Sequence, residues 1–184
     1  MSTGKPLHDP QNLRQAFGTF MTGVTVVTAL DDRGQPAGFT ANSFTSVSLE
    51  PPLLLVCPGK GMRMFEVFNT CEHFAVNILS EQQQALSDTF AVNQGDRFAG
   101  IDWQADAQGC PLLAGVVASF SCSTYQRLDA GDHIILLGHV DHFQVQGGRG
   151  LGFSSKGYFT LDAVQAEPPA PGAQPWPVRA DADD

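Results

Sequence analysis

Two stretches in the second half of the chain constrain the fold more than any others. Val116, Ala118, Phe120, Cys122 and Thr124 alternate with Val117, Ser119, Ser121 and Ser123, the pattern of a long strand with one wetter face. His133 to Val145 reads as the return strand, and Asp129-Ala130-Gly131-Asp132 between them has hairpin-turn composition. A hairpin of that length commits the chain to antiparallel β structure. The other segments agree. Val24 to Leu30 is dense in β-branched residues, and residues 36–48 suggest a strand with an irregular middle. Leu53 to Cys57, Phe74 to Leu79 and residues 153–161 are further short strands. Helical spacing predicts short helices over 10–21, 62–70 and 81–91. The first starts on Asp9-Pro10 and the third on a Ser80/Gln83 capping box. Residues 92–111 and 147–152 read as loops. Many strands and few short helices favour a β-barrel or sandwich over alternating βαβ units.

Length and charge narrow the classes of function. At 184 residues the chain fits one domain with extensions. Residues 1–9 read as an N-terminal arm, 10–162 as the domain, and 163–184, rich in Pro, Ala and Asp, as a disordered tail. Nineteen acidic against ten basic residues give a net charge of −9, which argues against nucleic-acid or anionic-membrane partners. Glu167, Asp181, Asp183 and Asp184 against Arg179 put a third of that charge on the tail. The charged fraction is 16%, below the roughly 25% of ordinary domains, so a partner is expected to cover part of the surface. Four cysteines without a C-x-x-C pair, no secretory leader pattern in MSTGKPLHDP and no long apolar run suggest a reducing cytoplasm.

Several catalytic signatures are missing. There is no G-x-S-x-G elbow and no phosphate loop of the G-x-x-x-x-G-K-[ST] type. Gly59-Lys-Gly-Met-Arg-Met64 fails the G-x-G-x-x-G dinucleotide fingerprint at its last position. His139 and His142 form H-x-x-H, but positions three apart on a strand face opposite ways, so no metal is expected there. The informative stretch runs from Gly38 to Arg63. Thr40, Asn42, Ser43, Thr45 and Ser46 precede a buried strand, and Lys60 and Arg63 follow in a glycine-bearing loop. Hydroxyls beside a strand suit a polar ring system, and paired cations near a helix start suit a phosphate. From spacing alone, a half-exposed strand followed by two surface bases is the simpler account.

Five segments, in order, resemble the flavin reductase family of split-barrel FMN-binding proteins. They are FGTFMTGVTVVT (17–28), GFTANSFTSVSLEPPLLLVC (38–57), HFAVNIL (73–79), DRFAGIDW (96–103) and DAGDHIILLGHV (129–140). The resemblance implies a mainly β fold, a six-stranded antiparallel split barrel with short flanking helices. It further implies a homodimer with the flavin near the subunit interface, FMN or FAD as flavin, and NADH or NADPH as co-substrate. By the same resemblance Gly38, Phe39, Thr40, Asn42 and Ser43 line the isoalloxazine and ribityl chain, with Ser46 in the same hydroxyl-bearing set. Cys57, Pro58, Lys60 and Arg63 follow the ribityl and phosphate end. His133 matches the histidine that contacts the nicotinamide, and Tyr158 an aromatic near the end of the barrel. Gly61 and Met62 depart from the family's loop, which carries a serine just before the arginine. FSSKGYF likewise replaces a more usual arginine-bearing run.

The implied activity is an NAD(P)H:flavin oxidoreductase that supplies reduced flavin to a monooxygenase partner. Hydride transfer between two cofactors needs no strong protein acid or base, which suits a chain without a triad. Two alternatives keep the fold: a flavoprotein that holds FMN tightly and acts on another small molecule, and a flavin-binding carrier or sensor without turnover.

Overall fold

The computed structural model describes residues 9–92 and 95–160. Helix α1 (Pro10–Gly18) begins where the sequence predicts, with the Asp9 carboxylate accepting the Gln11 amide at 3.0 Å. It stops at Gly18 rather than running to residue 21, because Thr19 caps it. Strands β1 (Thr22–Gly23), β2 (Thr25–Leu30), β3 (Pro36–Ala41), β4 (Thr45–Leu49) and β5 (Pro52–Val56) follow. Next come α2 (Phe65–Thr70), β6 (His73–Ile78), α3 (Gln84–Ala91), β7 (Trp103–Ala105) and β8 (Pro111–Leu113). Strands β9 (Ala118–Ala130), β10 (His133–Val145), β11 (Gly152–Ser154) and β12 (Gly157–Phe159) complete the described chain. The arm expected at 1–9 is described only at Asp9, and the tail expected at 163–184 lies outside the described residues. No described helix is long and apolar enough to cross a membrane.

The principal sheet is antiparallel, in the order β3-β2-β6-β9-β10-β5-β4. It therefore has seven strands, not the six expected. The sixfold expectation treats residues 36–48 as one strand; the chain leaves the sheet at Asn42–Phe44 and returns as a second strand on the opposite edge. Nor is the sheet closed, since β3 and β4 are its two unpaired ends. A flat seven-stranded sheet would hold its edges about 29 Å apart. Yet Ala41 and Thr45 are four Cα steps apart, at most about 15 Å. The sheet must curl until its edges approach, and a seam remains between them.

The β9–β10 hairpin is the backbone of this architecture: its strands, 13 residues each, turn at Gly131-Asp132, with Gly131 at φ +70°. Two small sheets, β1-β11-β12 and β7-β8, lie outside the principal one. β2 is buried on both faces, which explains its nearly continuous apolar run. Val27 and Ala29 join Phe39, Val56, Phe68, Phe74 and Leu136 in one core. Val24 and Val26 join Leu79, Phe90, Leu113 and Val116 in a second.

Candidate functional site

The seam is where the candidate residues gather. Because β3 is an edge strand, alternate backbone groups point away from the sheet. The Gly38 carbonyl accepts from the Arg97 guanidinium, whereas the Ala41 carbonyl accepts the Thr25 hydroxyl of the neighbouring strand. Alternation therefore turns the Thr40 amide and carbonyl toward the open edge along with those of Gly38. At the end of this edge the chain crosses to β4. There a groove of about 240 Å³ is lined by Phe39, Thr40, Ala41, Asn42, Ser43, Cys57, Gly59, Met62 and His133. The Ser43 hydroxyl accepts the Cys57 amide at 2.9 Å, which stitches the crossing to the end of β5.

The opposite wall is built by docking the loop after β5 onto the tip of the β9–β10 hairpin. Ile134 donates its amide to Pro58 (3.0 Å) and Lys60 to Asp132 (2.8 Å), while Gly59 bridges to His133. The Lys60 ammonium is ion-paired with Asp129 on the same tip. A side chain at Gly59 would lie 3.4 Å from His133 Nε2, so the glycine leaves the ring its place over the loop. His133 Nδ1 is 2.7 Å from the Asp132 carboxylate. An ionised carboxylate can only accept, so Nδ1 carries the proton of that bond. The bond also holds the Asp132 carboxyl below the usual carboxylate range.

A second hollow of about 240 Å³ shares Thr40 and Asn42 with the groove and adds Val24, Ser87, Ala91, Phe153 and Tyr158. Tyr158 donates to Asp88 at 2.8 Å and lies 2.9 Å from the Ser87 hydroxyl. Burial and the acceptor Asp88 raise its phenol above the ordinary value, against the lowering contact with Ser87. The Thr40 hydroxyl donates to the Ser87 carbonyl (2.6 Å), which ties β3 to α3.

The structure thus brings Phe39, Thr40, Asn42, Ser43, Cys57, Met62 and His133 together, with Tyr158 in the adjoining hollow. Gly38 lies beneath the Phe90 ring, where a Cβ would come within 2.8 Å of it. Pro58, Lys60 and Gly61 belong to the docked loop behind the groove, and Ser46 is exposed on β4. Arg63 faces a third hollow, shared with Arg97. Arg97 is absent from the sequence-derived set, although it stands in the quoted DRFAGIDW segment. Burial pushes the Cys57 thiol up, partly offset by its hydrogen bond with Ser43, so it remains protonated near neutral pH. The groove therefore offers a strand edge, hydroxyls, an amide and a histidine, with cations nearby. It suits a flat polar ring system with an anionic tail, and it contains no nucleophile–base pair. The donor set fits a flavin.

Residues 17–162 match the flavin reductase like domain family. The chain is 50% identical over 167 residues to the reductase subunit of a stachydrine N-demethylase from Rhizobium meliloti, covering 90% of this chain and 73% of that protein. It is also 50% identical over 160 residues to the reductase component of a flavin-dependent trigonelline monooxygenase from Acinetobacter baylyi, covering 87% of this chain and 52% of the relative. Among solved structures, an NADH:FAD oxidoreductase of Streptomyces globisporus, in complex with NAD and FAD fragments, superposes with a TM-score of 0.79 at 39% identity. That similarity covers 87% of this chain and 99% of the other. The chain spans about half the length of the Acinetobacter relative and 49% of a further Rhizobium meliloti relative.

Proposed function

Since the chain belongs to the flavin reductase like domain family, we propose that it is an NAD(P)H-dependent flavin reductase whose domain occupies residues 10–162. The observation that carries the reading is the seam: an unpaired strand edge, the Asn42–Ser43 crossing and His133 converge on one groove. A bound flavin supplies the hydride-accepting chemistry, with FMN or FAD as the flavin and NADH or NADPH as donor.

The chain's own residues bind and orient. The outward backbone groups of β3, with Asn42 and Ser43, recognise the polar edge of the ring system. Phe39, Cys57 and Met62 supply its apolar wall. Gly38, Pro58 and Gly61 shape the surrounding backbone, and Ser46 lies on the strand across the seam. Lys60 and Arg63 lie toward the phosphate end, and Tyr158 bounds the adjoining hollow. His133, held through Nδ1 by Asp132, presents Nε2 to the carboxamide of the nicotinamide. Alignment of donor and acceptor is the protein's contribution to rate.

The relatives' names support a monooxygenase as the consumer of reduced flavin. Exposed Phe17, Phe20, Phe143 and Val145 support a homodimer that covers them. Four free cysteines support a reducing, cytoplasmic setting.

The test is NAD(P)H consumption by the purified protein with FMN, FAD or no added flavin. Consumption that depends on added flavin is expected, with His133→Ala lowering kcat/KM for the nucleotide up to about tenfold, the worth of one hydrogen bond. No consumption with any flavin would overturn the enzyme reading. A flavin that stays bound through gel filtration while added flavin makes no difference would favour a tightly held cofactor instead.

A further inference from the structure

The third hollow, about 200 Å³, is lined by Pro36, Arg63, Met64, Gly95, Asp96, Arg97 and Phe98. It adjoins the groove along two walls. Met62 lines the groove and Arg63 the hollow, so successive residues of one loop serve the two spaces. On β3 the groove takes Phe39 and the hollow takes Pro36, a step of about 10 Å along a strand. A ligand seated by its ring at the Asn42 end, with its tail along the open edge, would carry that tail into the hollow.

Two guanidiniums meet there. Arg97 is only 8% exposed, an unusual state for an arginine. It donates to the Gly38 carbonyl on the open edge and contacts the Met64 sulfur at 3.6 Å. Burial lowers its pKa, and the nearby charge of Arg63 lowers it further. Like charges brought to one small space repel unless an anion lies between them. The Asp96 carboxylate also lines the hollow, but it accepts the Phe98 amide at 3.0 Å and so is engaged in its own turn. Met62 and Met64 bring no hydroxyl to this loop, which leaves the guanidiniums as its strong donors for a phosphate. The planar fork of arginine suits phosphate oxygens better than an ammonium does. Lys60, the other cation of the loop, is engaged by Asp129.

We propose that Arg63 and Arg97 together form the pocket that recognises the phosphate of a flavin nucleotide, and that this pocket makes the protein select phosphorylated flavin over riboflavin. The inference rests on the flavin-reductase reading. Arg97 then does two things at once: it holds the open edge of β3 through Gly38, and it holds the ligand's tail. Loss of either arginine weakens FMN while riboflavin is little affected.

Flavin fluorescence titrations of the full chain with FMN and with riboflavin test this. FMN is expected to bind at least about tenfold tighter, as charge-assisted hydrogen bonds warrant. Arg63→Gln and Arg97→Gln should each bring the two flavins to within about threefold, by loss on the FMN side. If Arg97→Gln does not fold, Arg97→Lys replaces it. That variant keeps the charge, loses the fork, and should lower the preference severalfold. Equal binding of FMN and riboflavin by the unmodified protein overturns the proposal and leaves the flavin reading intact. A preference unchanged in Arg63→Gln and in the Arg97 variant also overturns it. So does a rise in KM for NADPH or NADH in these variants with the flavin preference unchanged, because the pocket would then serve the pyridine nucleotide. Binding of neither flavin overturns the underlying reading itself.

Discussion

Cys57 reports on the groove without any assay of turnover. Burial keeps its thiol protonated, and it lines the proposed flavin site beside Ser43. Alkylation followed by mass spectrometry at neutral pH should label it more slowly than a free thiol, and added FMN should slow it further. Labelling at Cys57 that ignores FMN would place the flavin elsewhere. Asp132 can be judged by a different split. Asp132→Ala should lower kcat/KM for the nicotinamide nucleotide a few fold and leave the FMN dissociation constant unchanged, since the carboxylate touches the ring of His133 and lies outside the groove lining. His133 itself is legible in the sequence because the turn that carries it is. Arg97 is not. It sits in a stretch without apolar periodicity, and the carbonyl it holds belongs to Gly38, 59 positions away. Local spacing carries no trace of such a contact; the DRFAGIDW segment was a resemblance without a role.

Strand pairing imposes its own demands, and Gly138 on β10 meets the severest of them. A Cβ there would come within 2.4 Å of the Phe74 ring and 3.0 Å of the Cys122 side chain. Gly138→Ala should therefore destabilise the fold by about 1–3 kcal/mol, read as a lowered midpoint in urea. The short β7–β8 pair depends on Asn77 in β6 instead. The Asn77 amide donates to the Val26 and Pro111 carbonyls and accepts the Leu113 amide at 2.9 Å, all in a buried setting. Asn77→Leu should cost about 1–3 kcal/mol by orphaning the Leu113 amide. This pair also shows where sequence reading ends. The hairpin of β9 and β10 is visible because 13-residue strands repeat their period many times. Three-residue strands repeat it barely once, and residues 92–111 read as loop because β7 and β8 are fixed by side chains far away in the chain. Helix α3 lies between these cases. Gln83 does reach back to the Ser80 amide at 2.9 Å, yet the regular helix starts one residue later, at Gln84.

A curled sheet with a seam leaves apolar surface on its outside. Phe143 is 61% exposed and stacks on Phe120, which stacks on Phe44, with ring centroids 6.3 and 5.9 Å apart. Helix α1 buries none of its residues within this chain. Sedimentation should find a dimer at micromolar concentration, and Phe143→Asp should shift it toward monomer; a wild-type protein that sediments as a monomer would remove the homodimer from the proposal. The docking of residues 58–60 on the hairpin tip has a different kind of consequence. The wall that meets the flavin and the histidine that meets the nicotinamide share one set of backbone bonds. Neither can be exchanged by itself. A chimera that imports only the loop from a relative would break the register of Gly59 on His133 and misplace both ligands. A chimera that imports loop and hairpin tip as one cassette would keep them aligned. In descent, the two specificities should travel together.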